Sequence, residues 1–570
     1  MAKIWHEQYP TGVPVEVPAD AYPSLLALLE ASLRRHRALP ALRFMGRDIS
    51  YRQLDDLSLD LAAYLQAQGL VRGDRVAVML PNVPQYAVAV VAILRAGCVV
   101  VNVNTHYAAP ELRHQLKDAG ARAIVIAENF ASTLQQVLDA VPACKVIVAS
   151  MGDLLGAVKG PLVNQMVRRV RKLVPSFQLP GAVRFARALA RGRTLTLAPV
   201  AVGPDDIAVL QYTGGTTSAS KGAVLLHRCL VANVLQSEAW SRPVLAHLPP
   251  GEQPVLVCAL PLHHIFAFTV VMLLGLQIGA CSLLLPDARD IDGMLRELAR
   301  HHFHVFAADD TLFAALARHP GAERVDWSSL RLSVGGGMAV QPATAQLWQD
   351  QTGCPICEGY GLSEASPSVC CNPVDITAFS GHIGLPLPGT RIKLLDAGGA
   401  EVPRGTPGEI VIRGPQVMAG YWQRPDETAR VLTADGWLRS GDIGVEDENG
   451  CLRIVDRKTD MIQVGGFEVV PNEVEGVVTQ MPGVLECAAV GVPDALAGEA
   501  VKLIVVKADP ASASPSEADV RAWCDARLTG YKRPRFVEFR ADLPKTPVGK
   551  VLRRALRDSC LLYTSDAADE

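Results

Sequence analysis

The chain has 570 residues, of which 49% are hydrophobic and 20% are charged, and its formal net charge at pH 7 is −3. This length predicts more than one domain, the apolar content excludes a disordered chain because it suffices for a large core, and the small net charge excludes a general attraction to nucleic acid. The thirteen cysteines follow no disulfide framework and the first residues form no secretory signal, which together predict a cytoplasmic protein.

Residues 1–205 alternate short apolar runs with helical patterns, and the alternation resumes at 206–380. The runs "RVAVMLP", "VVVNVN" and "AIVIA" are each followed by a segment of helical periodicity. Strands and helices that take turns are typical of βαβ units around a largely parallel sheet. The sequence therefore predicts an α/β fold whose large N-terminal domain, 1–456, is built of βαβ-type subdomains.

Residues 159–193 form a basic segment without acidic residues, and Val163, Val167, Val170 and Val174 recur in it at helical spacing. Such a helix can lie on an anionic membrane surface, where each cation contributes about 1 kcal/mol, or it can be a solvated helix packed on its own domain. Both interpretations stay open, and the first predicts peripheral contact with the inner face of the cytoplasmic membrane. The cations are Lys159, Arg168, Arg169, Arg171, Lys172, Arg184, Arg187, Arg191 and Arg193.

Residues 211–227 read "QYTGGTTSASKGAVLLH" and combine hydroxyl side chains, glycines and a lysine. Glycines let backbone N–H groups approach phosphate oxygens, hydroxyl groups add donors or a metal contact, and a lysine adds positive charge. The spacing differs from that of the P-loop, and a polar surface loop is the alternative. The pattern predicts a polyphosphate-binding loop with these contacts: Thr213, Gly214, Gly215, Thr216, Thr217 and Lys221.

Residues 265–285, "IFAFTVVMLLGLQIGACSLLL", are long and apolar enough to cross a bilayer. However, no cationic flank precedes them, Gln277 lies inside them, and at "CSLLLP" the pattern changes from that of a buried helix to that of a buried strand. The sequence favours a core helix followed by a strand over a membrane span.

The composition changes near residue 382, where glycines and short strands become frequent and predict a small β-subdomain over 382–456. A small α+β C-terminal domain is predicted over 460–558, with the strand patterns "AVKLIVVKAD" and "RFVEF" on either side of the helical pattern "EADVRAWCDARL". Residues 559–570 break the preceding pattern and are interpreted as non-native sequence.

Four further segments carry side chains suited to a nucleotide. "EGYGLSE" (358–364) offers an aromatic ring, a hydroxyl and a carboxylate, and "GWLRSGD" (436–442) ends on a carboxylate that can accept ribose hydroxyls. "VDRKTD" (455–460) and "LPKTPVGKVLRR" (543–554) each offer a cation. The residues concerned are Tyr360, Ser363, Glu364, Asp442, Arg457 and Lys550.

Together and in this order, these segments resemble the adenylate-forming superfamily of acyl-CoA synthetases, luciferases and nonribosomal-peptide adenylation domains. The resemblance runs from "IWHEQYP" to about Arg557 and is greatest to bacterial long-chain fatty-acid–CoA ligases. The motifs that carry it are "LQYTGGTT", "LPLHHIFAFT", "GGGMAVQ", "GPQVMAGYWQRPDET" and "LTGYKRPRFVEF".

The resemblance implies that the substrates are a fatty acid, ATP with Mg²⁺, and coenzyme A. The fatty-acid carboxylate attacks the α-phosphate of ATP to give acyl-AMP and pyrophosphate. The small, mobile C-terminal domain then rotates about a hinge at 457–459, and the coenzyme A thiol attacks the acyl-AMP. Lys550, Mg²⁺ and the loop promote the first step by electrostatics and positioning, without a covalent enzyme intermediate.

The roles implied by the resemblance fall into three groups. Metal contacts are Thr213 and Glu364. Nucleotide contacts are the loop residues together with Gly335, Gly336, Tyr360, which stacks on adenine, and Asp442 and Arg457, which bind ribose. Catalytic side chains are Lys550, Glu364, Ser363 and His264, of which His264 is equally well explained as a histidine of the core.

Several positions depart from the pattern of the family. Ser218 replaces a glycine of the loop, and Thr459 replaces the usual Asp or Lys of the hinge. Asp309 and Asp310 in "FAADDTLF" stand in a segment that usually borders the acyl tunnel. An unpaired buried carboxylate there costs several kcal/mol or stays protonated, which puts the position of the tunnel in question.

The sequence therefore predicts a cytoplasmic long-chain fatty-acid–CoA ligase. One alternative changes the acceptor or the acid: an acyl-AMP ligase that serves a carrier protein, or an aryl- or medium-chain-CoA ligase. The other is a catalytically weak acyl or nucleotide binder, which the intact Lys550, Glu364, Asp442 and Arg457 disfavour. A homodimer is left open.

Overall fold

The computed structural model describes residues 4–141, 144–213, 220–457, 460–464, 467–494, 497–545, 551–553, 555–557 and 559. The chain divides into a larger and a smaller compact unit, which confirms the predicted α/β organisation. Of the described residues, the larger unit comprises those up to Thr213, Ser220–Arg391 and Ile412–Leu438, and the smaller comprises Ile392–Val411 and those from Arg439 onward. The boundaries expected at 456 and 460, the hinge and the non-native tail stay predictions.

The strands are named in chain order. Those up to residue 226 are β1 (Pro40–Phe44), β2 (Arg47–Ser50), β3 (Arg75–Met79), β4 (Val99–Asn102), β5 (Ala121–Ala127), β6 (Lys145–Ala149), β7 (Val183–Arg184), β8 (Ile207–Thr213) and β9 (Lys221–Leu226). Those from 255 to 395 are β10 (Val255–Cys258), β11 (Cys281–Leu284), β12 (Val305–Ala308), β13 (Leu332–Gly335), β14 (Ile356–Gly361), β15 (Ser368–Cys371), β16 (Leu385–Pro386) and β17 (Arg391–Leu395). The remainder are β18 (Gly408–Arg413), β19 (Leu438–Glu446), β20 (Leu452–Arg457), β21 (Ile462–Val464), β22 (Phe467–Val469), β23 (Val484–Asp494), β24 (Gly498–Lys507) and β25 (Phe536–Arg540).

The helices are named in the same way. They are α1 (Leu25–Arg35), α2 (Tyr51–Ala67), α3 (Pro84–Arg95), α4 (Ala109–Ala119), α5 (Ala131–Gln135), α6 (Lys159–Gln165), α7 (Phe185–Gly192), α8 (His227–Leu245), α9 (Leu274–Gln277), α10 (Ile291–Leu298), α11 (Asp310–Arg318), α12 (Pro342–Thr352), α13 (Pro425–Val431), α14 (Pro471–Val478) and α15 (Glu517–Asp525). Two π-helical segments adjoin them, Met166–Val170 after α6 and Ala267–Leu273 before α9.

A seven-stranded sheet of the larger unit has the order β7-β6-β5-β3-β4-β8-β9. The first six strands in this order, from β7 to β8, pair in parallel with their neighbours, whereas β9 runs antiparallel to β8. All four residues of β4 are buried, as is typical of parallel strands covered on both faces by helices. The succession β3-α3-β4-α4-β5 confirms the predicted βαβ units.

A nine-stranded sheet of the same unit has the order β16-β15-β14-β13-β12-β10-β11-β1-β2. Its central strands pair in parallel. The edge strands pair antiparallel with their neighbours: β2 at one edge, and β15 and β16 at the other. An aromatic cluster packs against it, with the rings of Phe313 and Trp348 4.7 Å apart and those of Phe306 and Trp348 5.4 Å apart. Because β13 and β14 are parallel neighbours, their carboxyl ends lie at one edge of the sheet.

The apolar segment 265–285 forms a helix and a strand, as the sequence predicts. The helix is the π-helical segment continued by α9, and the strand is β11. The Tyr51 hydroxyl donates to the carbonyls of Gly275 and Ala280 at 3.0 and 2.8 Å, which ties α2 to the end of this helix. Within the described residues, the helices are all too short or too polar to cross a membrane.

The smaller unit contains two sheets. One has the order β17-β18-β19-β20, and the other has the order β22-β21-β24-β23 with β25 paired to β24. Helices α14 and α15 pack on the second sheet through the buried side chains of Val474, Val478 and Val520. The strand and helix patterns predicted beyond residue 498 coincide with β24, α15 and β25.

Candidate active site

The hairpin of β8 and β9 carries the predicted polyphosphate loop. Thr213, the last residue of β8, pairs directly with Lys221, the first residue of β9. The two ends of the loop are therefore fixed by a strand register. The other predicted contacts, Gly214, Gly215, Thr216 and Thr217, and the variant position Ser218 lie outside the described residues.

The base of this hairpin is held by a half-buried carboxylate on α4. Asp118 accepts a hydrogen bond of 2.7 Å from the Tyr212 hydroxyl and one of 2.6 Å from Arg424. Trp422 also donates its indole N–H to the backbone carbonyl of Asp118 at 3.1 Å. Burial, and next the Asp118 carboxylate, raise the pKa of Tyr212, so its hydroxyl stays protonated and remains a donor to Asp118.

Lys221 belongs to a compact group that also contains Glu364, Tyr421 and Glu427, called here the Tyr421 cluster. Lys221 forms an ion pair with Glu427, and its ammonium group lies 5.2 Å from the centre of the Tyr421 ring. The Tyr421 hydroxyl donates to a carboxylate oxygen of Glu364 at 2.7 Å. A cation of the predicted phosphate loop and a predicted metal ligand are thus linked through one tyrosine.

Glu364 is placed by a short helical turn, Ser363–Ala365, that lies beside β8 and β9. The backbone N–H of Met418 donates to the Glu364 carbonyl at 2.8 Å, which joins the turn to the segment that carries Tyr421. Burial, followed by the charge of Glu364, raises the pKa of Tyr421, so Tyr421 remains a donor. Ser363 is half-buried in the same turn.

The glycines Gly335 and Gly336 lie at the carboxyl end of β13, where neighbouring side chains pack closely against their backbone. A methyl group on Gly335 would lie 2.7 Å from the Ile356 side chain, and one on Gly336 would lie 3.0 Å from the Phe266 ring. Tyr360, half-buried on the neighbouring strand β14, lies near the same sheet edge because Gly335 pairs with Glu358. The structure therefore brings Gly335, Gly336 and Tyr360 together.

Two adjacent histidines follow β10. Burial lowers the pKa of His264 to about 4, and burial with the neighbouring histidines lowers that of His263 to about 3. Both rings are therefore neutral at pH 7. The backbone N–H of Phe266 donates to Nδ1 of His264 at 3.4 Å, whereas Nδ1 of the buried His263 has no hydrogen-bond partner within the described structure.

Glu358 is a buried carboxyl that the sequence argument did not single out. It is 6% exposed, and burial raises its pKa to about 7. One of its oxygens accepts a hydrogen bond of 2.9 Å from the backbone N–H of Val340. No local sequence signal identifies it, since its environment is formed by residues distant in sequence.

The concern about Asp309 was wrong, because this buried carboxylate is not unpaired. Asp309 is the N-cap of α11 and accepts a hydrogen bond of 2.8 Å from the N–H of Leu312. Asp310 accepts one of 2.8 Å from the N–H of Gln341. A carboxylate at a helix N-terminus is stabilised by the free N–H groups there. The two residues are thus explained as parts of the fold.

In the smaller unit, Asp442 lies on β19 directly opposite Arg457 on β20. Asp442 is 8% exposed, and its backbone N–H donates to the Ser440 hydroxyl at 3.1 Å. Ser440 in turn donates to the carbonyl of Ile410 at 2.7 Å. The Arg457 side chain, Thr459 and Lys550 lie outside the described residues.

The model of the AMP-binding enzyme family matches residues 29–422, and that of the AMP-binding enzyme C-terminal domain matches residues 473–550. The chain is 50% identical over 559 residues to a long-chain-fatty-acid–CoA ligase of Escherichia coli O6:H1, with 98% of each chain covered. It is 50% identical over 570 residues to that of Yersinia pestis, with 100% of each covered. The anthranilate CoA ligase AuaEII in complex with anthranoyl-AMP superposes with a TM-score of 0.83 at 26% identity, over 96% of this chain and 100% of that one.

Proposed function

Because this chain belongs to the AMP-binding enzyme family, we propose that it is a long-chain fatty-acid–CoA ligase. It is an AMP-forming acid–thiol ligase that uses ATP and coenzyme A. The observation that carries the proposal is identity of 45–50% over 98% of the chain to long-chain-fatty-acid–CoA ligases of several bacteria. The two alternatives, another acid or acceptor and a weak binder, are outcomes of the experiment below.

The reaction proceeds in two displacements. A carboxylate oxygen of the fatty acid bonds to the α-phosphorus of ATP while the bond to the bridging oxygen breaks, which gives acyl-AMP and pyrophosphate. The coenzyme A thiol then loses its proton and bonds to the acyl carbon while AMP leaves. Negative charges converge in the first step, so the chain must supply cations and N–H donors there.

The phosphates are proposed to lie in the loop between β8 and β9. The loop's backbone N–H groups, the hydroxyl groups of Thr216 and Thr217, and Lys221 are the donors. Lys221 is supported for this role by its position at the strand end opposite Thr213. Its ion pair with Glu427 holds the ammonium group in place beside Tyr421.

The Mg²⁺ that accompanies ATP is assigned to Thr213 and Glu364. Hydroxyl and carboxylate oxygens are the ligands that Mg²⁺ prefers, and one oxygen of Glu364 is oriented by the Tyr421 hydroxyl. Mg²⁺ bound there supplies positive charge to the phosphates. We propose that Tyr421 acts as a positioning residue, since it contacts the ligand side chain rather than the substrate.

The remaining roles are assigned by chemistry. Tyr360 stacks on adenine beside the packed backbone of Gly335 and Gly336, and Ser363 donates to a phosphate. His264, neutral at pH 7, provides a hydrogen bond near the fatty-acid carboxylate rather than a charge. Asp442 accepts the ribose hydroxyls together with Arg457, and Lys550 promotes the adenylation step.

Peripheral contact with an anionic membrane, a cytoplasmic location and a homodimer are further proposals. The basic segment 159–193 supports the first, since each cation near an anionic surface adds to binding.

The experiment that tests the ligase function is release of pyrophosphate with acids from C2 to C18, with and without coenzyme A. The apolar segment 265–274 is assigned to the acyl site, where each added methylene contributes up to ~0.8 kcal/mol. Palmitate is therefore expected to exceed acetate by orders of magnitude in kcat/KM. Equal rates on acetate, or preference for coumarate, contradict the long-chain assignment. AMP release independent of coenzyme A supports an acyl-AMP ligase, and no release at all supports a weak binder.

A further inference from the structure

Five large apolar side chains are exposed within the sixteen residues 158–173, whereas the other exposed ones that the structure describes are scattered along the chain. They are Val158, Leu162, Met166, Val170 and Leu173, called here the outer row. Leu162 is 66% exposed, and Val158 and Val170 are each 76% exposed. A concentration of exposed apolar side chains of this kind indicates an interaction surface.

The outer row follows one face of α6 and the π-helical segment after it. Four of its members are spaced by four residues, a step that overshoots a full turn of an α-helix by about 40°. The π-helical segment, in which the N–H of Arg171 donates to the carbonyl of Met166 at 2.9 Å, holds more residues per turn and reverses this drift. The row therefore stays on a single face.

The opposite face attaches the helix to its own unit. Val163 and Val167 are buried, at 8% and 4% exposed. Arg168 donates to both oxygens of the buried Glu128 at 2.8 to 3.1 Å, and Arg184 donates to Glu128 at 2.9 Å. Val163, Val167, Val170 and Val174 have helical spacing in the sequence, but of the first three only Val163 and Val167 are buried, and Val170 is exposed.

The outer row is flanked by positive charge. Arg169, Arg171 and Lys172 are exposed beside it, and the chain has no acidic residue from 159 to 193. Apolar side chains beside cations match an anionic lipid surface, which takes up the former and attracts the latter. A second copy of the chain matches poorly, because a two-fold interface would bring the same cations together.

We propose that the outer row and its flanking cations dock the protein on an anionic bilayer. The row enters the boundary between headgroups and acyl chains, and Arg169, Arg171 and Lys172 contact lipid phosphates. The proposal rests on the proposed function, because a long-chain fatty acid partitions into bilayers and a docked ligase meets its substrate there.

The test is flotation of the purified full chain with vesicles of phosphatidylcholine, alone or mixed with phosphatidylglycerol. Binding is expected for the mixed vesicles and is expected to weaken between about 0.1 M and 1 M salt, as the Debye length falls from ~10 Å to ~3 Å. R169Q/R171Q/K172Q is expected to lower the partition coefficient roughly a hundred-fold, at about five-fold per cation. L162S/V170S is expected to lower it about ten-fold or more. Arg168 is left unchanged because it neutralises the buried Glu128.

Matched controls separate the surface from general effects. V71S/L195S removes two exposed apolar side chains elsewhere, 62% and 43% exposed in the native chain. R37Q/R318Q/R324Q removes three exposed cations elsewhere. Both controls are expected to bind vesicles like the native chain, and all variants are expected to retain activity on detergent-dispersed palmitate.

Three results would overturn the docking proposal. The first is native binding by L162S/V170S, and the second is equal binding to neutral and anionic vesicles. The third is found by analytical ultracentrifugation: the native chain is a dimer and L162S/V170S is a monomer. That result would assign the row to an interface with a second copy of the chain. Flotation requires no catalysis, so failure of the ligase function leaves this test valid, and failure of docking leaves the ligase function standing.

Discussion

Candidate residues in the two units are held in different ways. In the larger unit, a neighbouring side chain orients the functional group, as Tyr421 does for Glu364. In the smaller unit, Asp442 and Arg457 are brought opposite each other by the register of β19 and β20. Changing a neighbour leaves the functional group in place but less well oriented, whereas removing a charge that is proposed to contact the nucleotide deletes the whole interaction. Large losses are therefore expected in the smaller unit and graded losses in the larger.

Removal of the Asp442 carboxylate should give the largest effect. The two hydrogen bonds proposed from ribose to this carboxylate would contribute ~1.5–3 kcal/mol each, so D442A is expected to weaken ATP binding by about 10²–10⁴-fold. Isothermal titration calorimetry measures this directly. E448Q, a change of an exposed carboxylate on the same hairpin, is the control. Native ATP affinity in D442A would remove Asp442 from the nucleotide site.

Lys550 should show the next largest effect, confined to one half-reaction. A preorganised cation at the converging charges contributes about 10²–10³-fold in rate, so K550A is expected to slow acyl-AMP formation by that factor. Thioester formation from supplied acyl-AMP is expected to be unchanged, as quenched-flow assays of each step can show. K545A changes a nearby lysine that pairs with Glu486 at 2.6 Å and serves as control. Equal losses in both steps contradict the role.

Tyr421 tests the graded effect expected in the larger unit. Y421F removes the hydroxyl that orients Glu364 but keeps the ring beside Lys221. Partners that orient metal ligands contribute about 10–100-fold in metal affinity, so the Mg²⁺ concentration for half-maximal ATP binding should rise about ten-fold. Titration of Mg²⁺ against ATP binding measures it, and Y531F is the control. An unchanged Mg²⁺ dependence would mean that Tyr421 supports only the fold.

Glu358 should affect the stability of the fold, seen as a small shift in melting temperature, rather than binding or catalysis. Its pKa is about 7 in the folded chain against an ordinary value of 4.5, so the stability from its neutral form is complete below pH 4.5 and is lost as pH rises through 7. E358Q stays neutral, and its melting temperature should exceed that of the native chain increasingly from about pH 4.5 to 7, by a few degrees for about 3 kcal/mol. E323Q is the exposed control. A difference that does not vary with pH would show that Glu358 is ionised when folded.

The sequence predicted those features that depend on neighbours along the chain. The helix and strand at 265–285 follow from local patterns. The Tyr421 hydrogen bond to Glu364 joins residues 57 positions apart and leaves no local signal. The same limit applies to Asp118 beneath the hairpin, which contacts Arg424 from 306 positions away.

Two features of the structure differ from what the sequence pattern suggests, and each difference has a physical cause. The sequence argument considered Asp309 as an unpaired buried carboxylate. In the structure a helix begins immediately after it and supplies an N–H donor. The four valines of 163–174 have helical spacing, yet Val163 and Val167 are buried and Val170 is exposed, and a π-helical segment at Met166–Val170 interrupts the α-helical period there. Both outcomes depend on where an element begins or widens, which periodicity does not specify.

The most direct measurement of the central claim is the product balance of one reaction. Purified protein is supplied with ATP, Mg²⁺, palmitate and coenzyme A, and AMP, pyrophosphate and palmitoyl-CoA are quantified together. An AMP-forming long-chain fatty-acid–CoA ligase gives the three products in equal molar amounts and no ADP. Formation of ADP, or of AMP and pyrophosphate without the thioester, would contradict it.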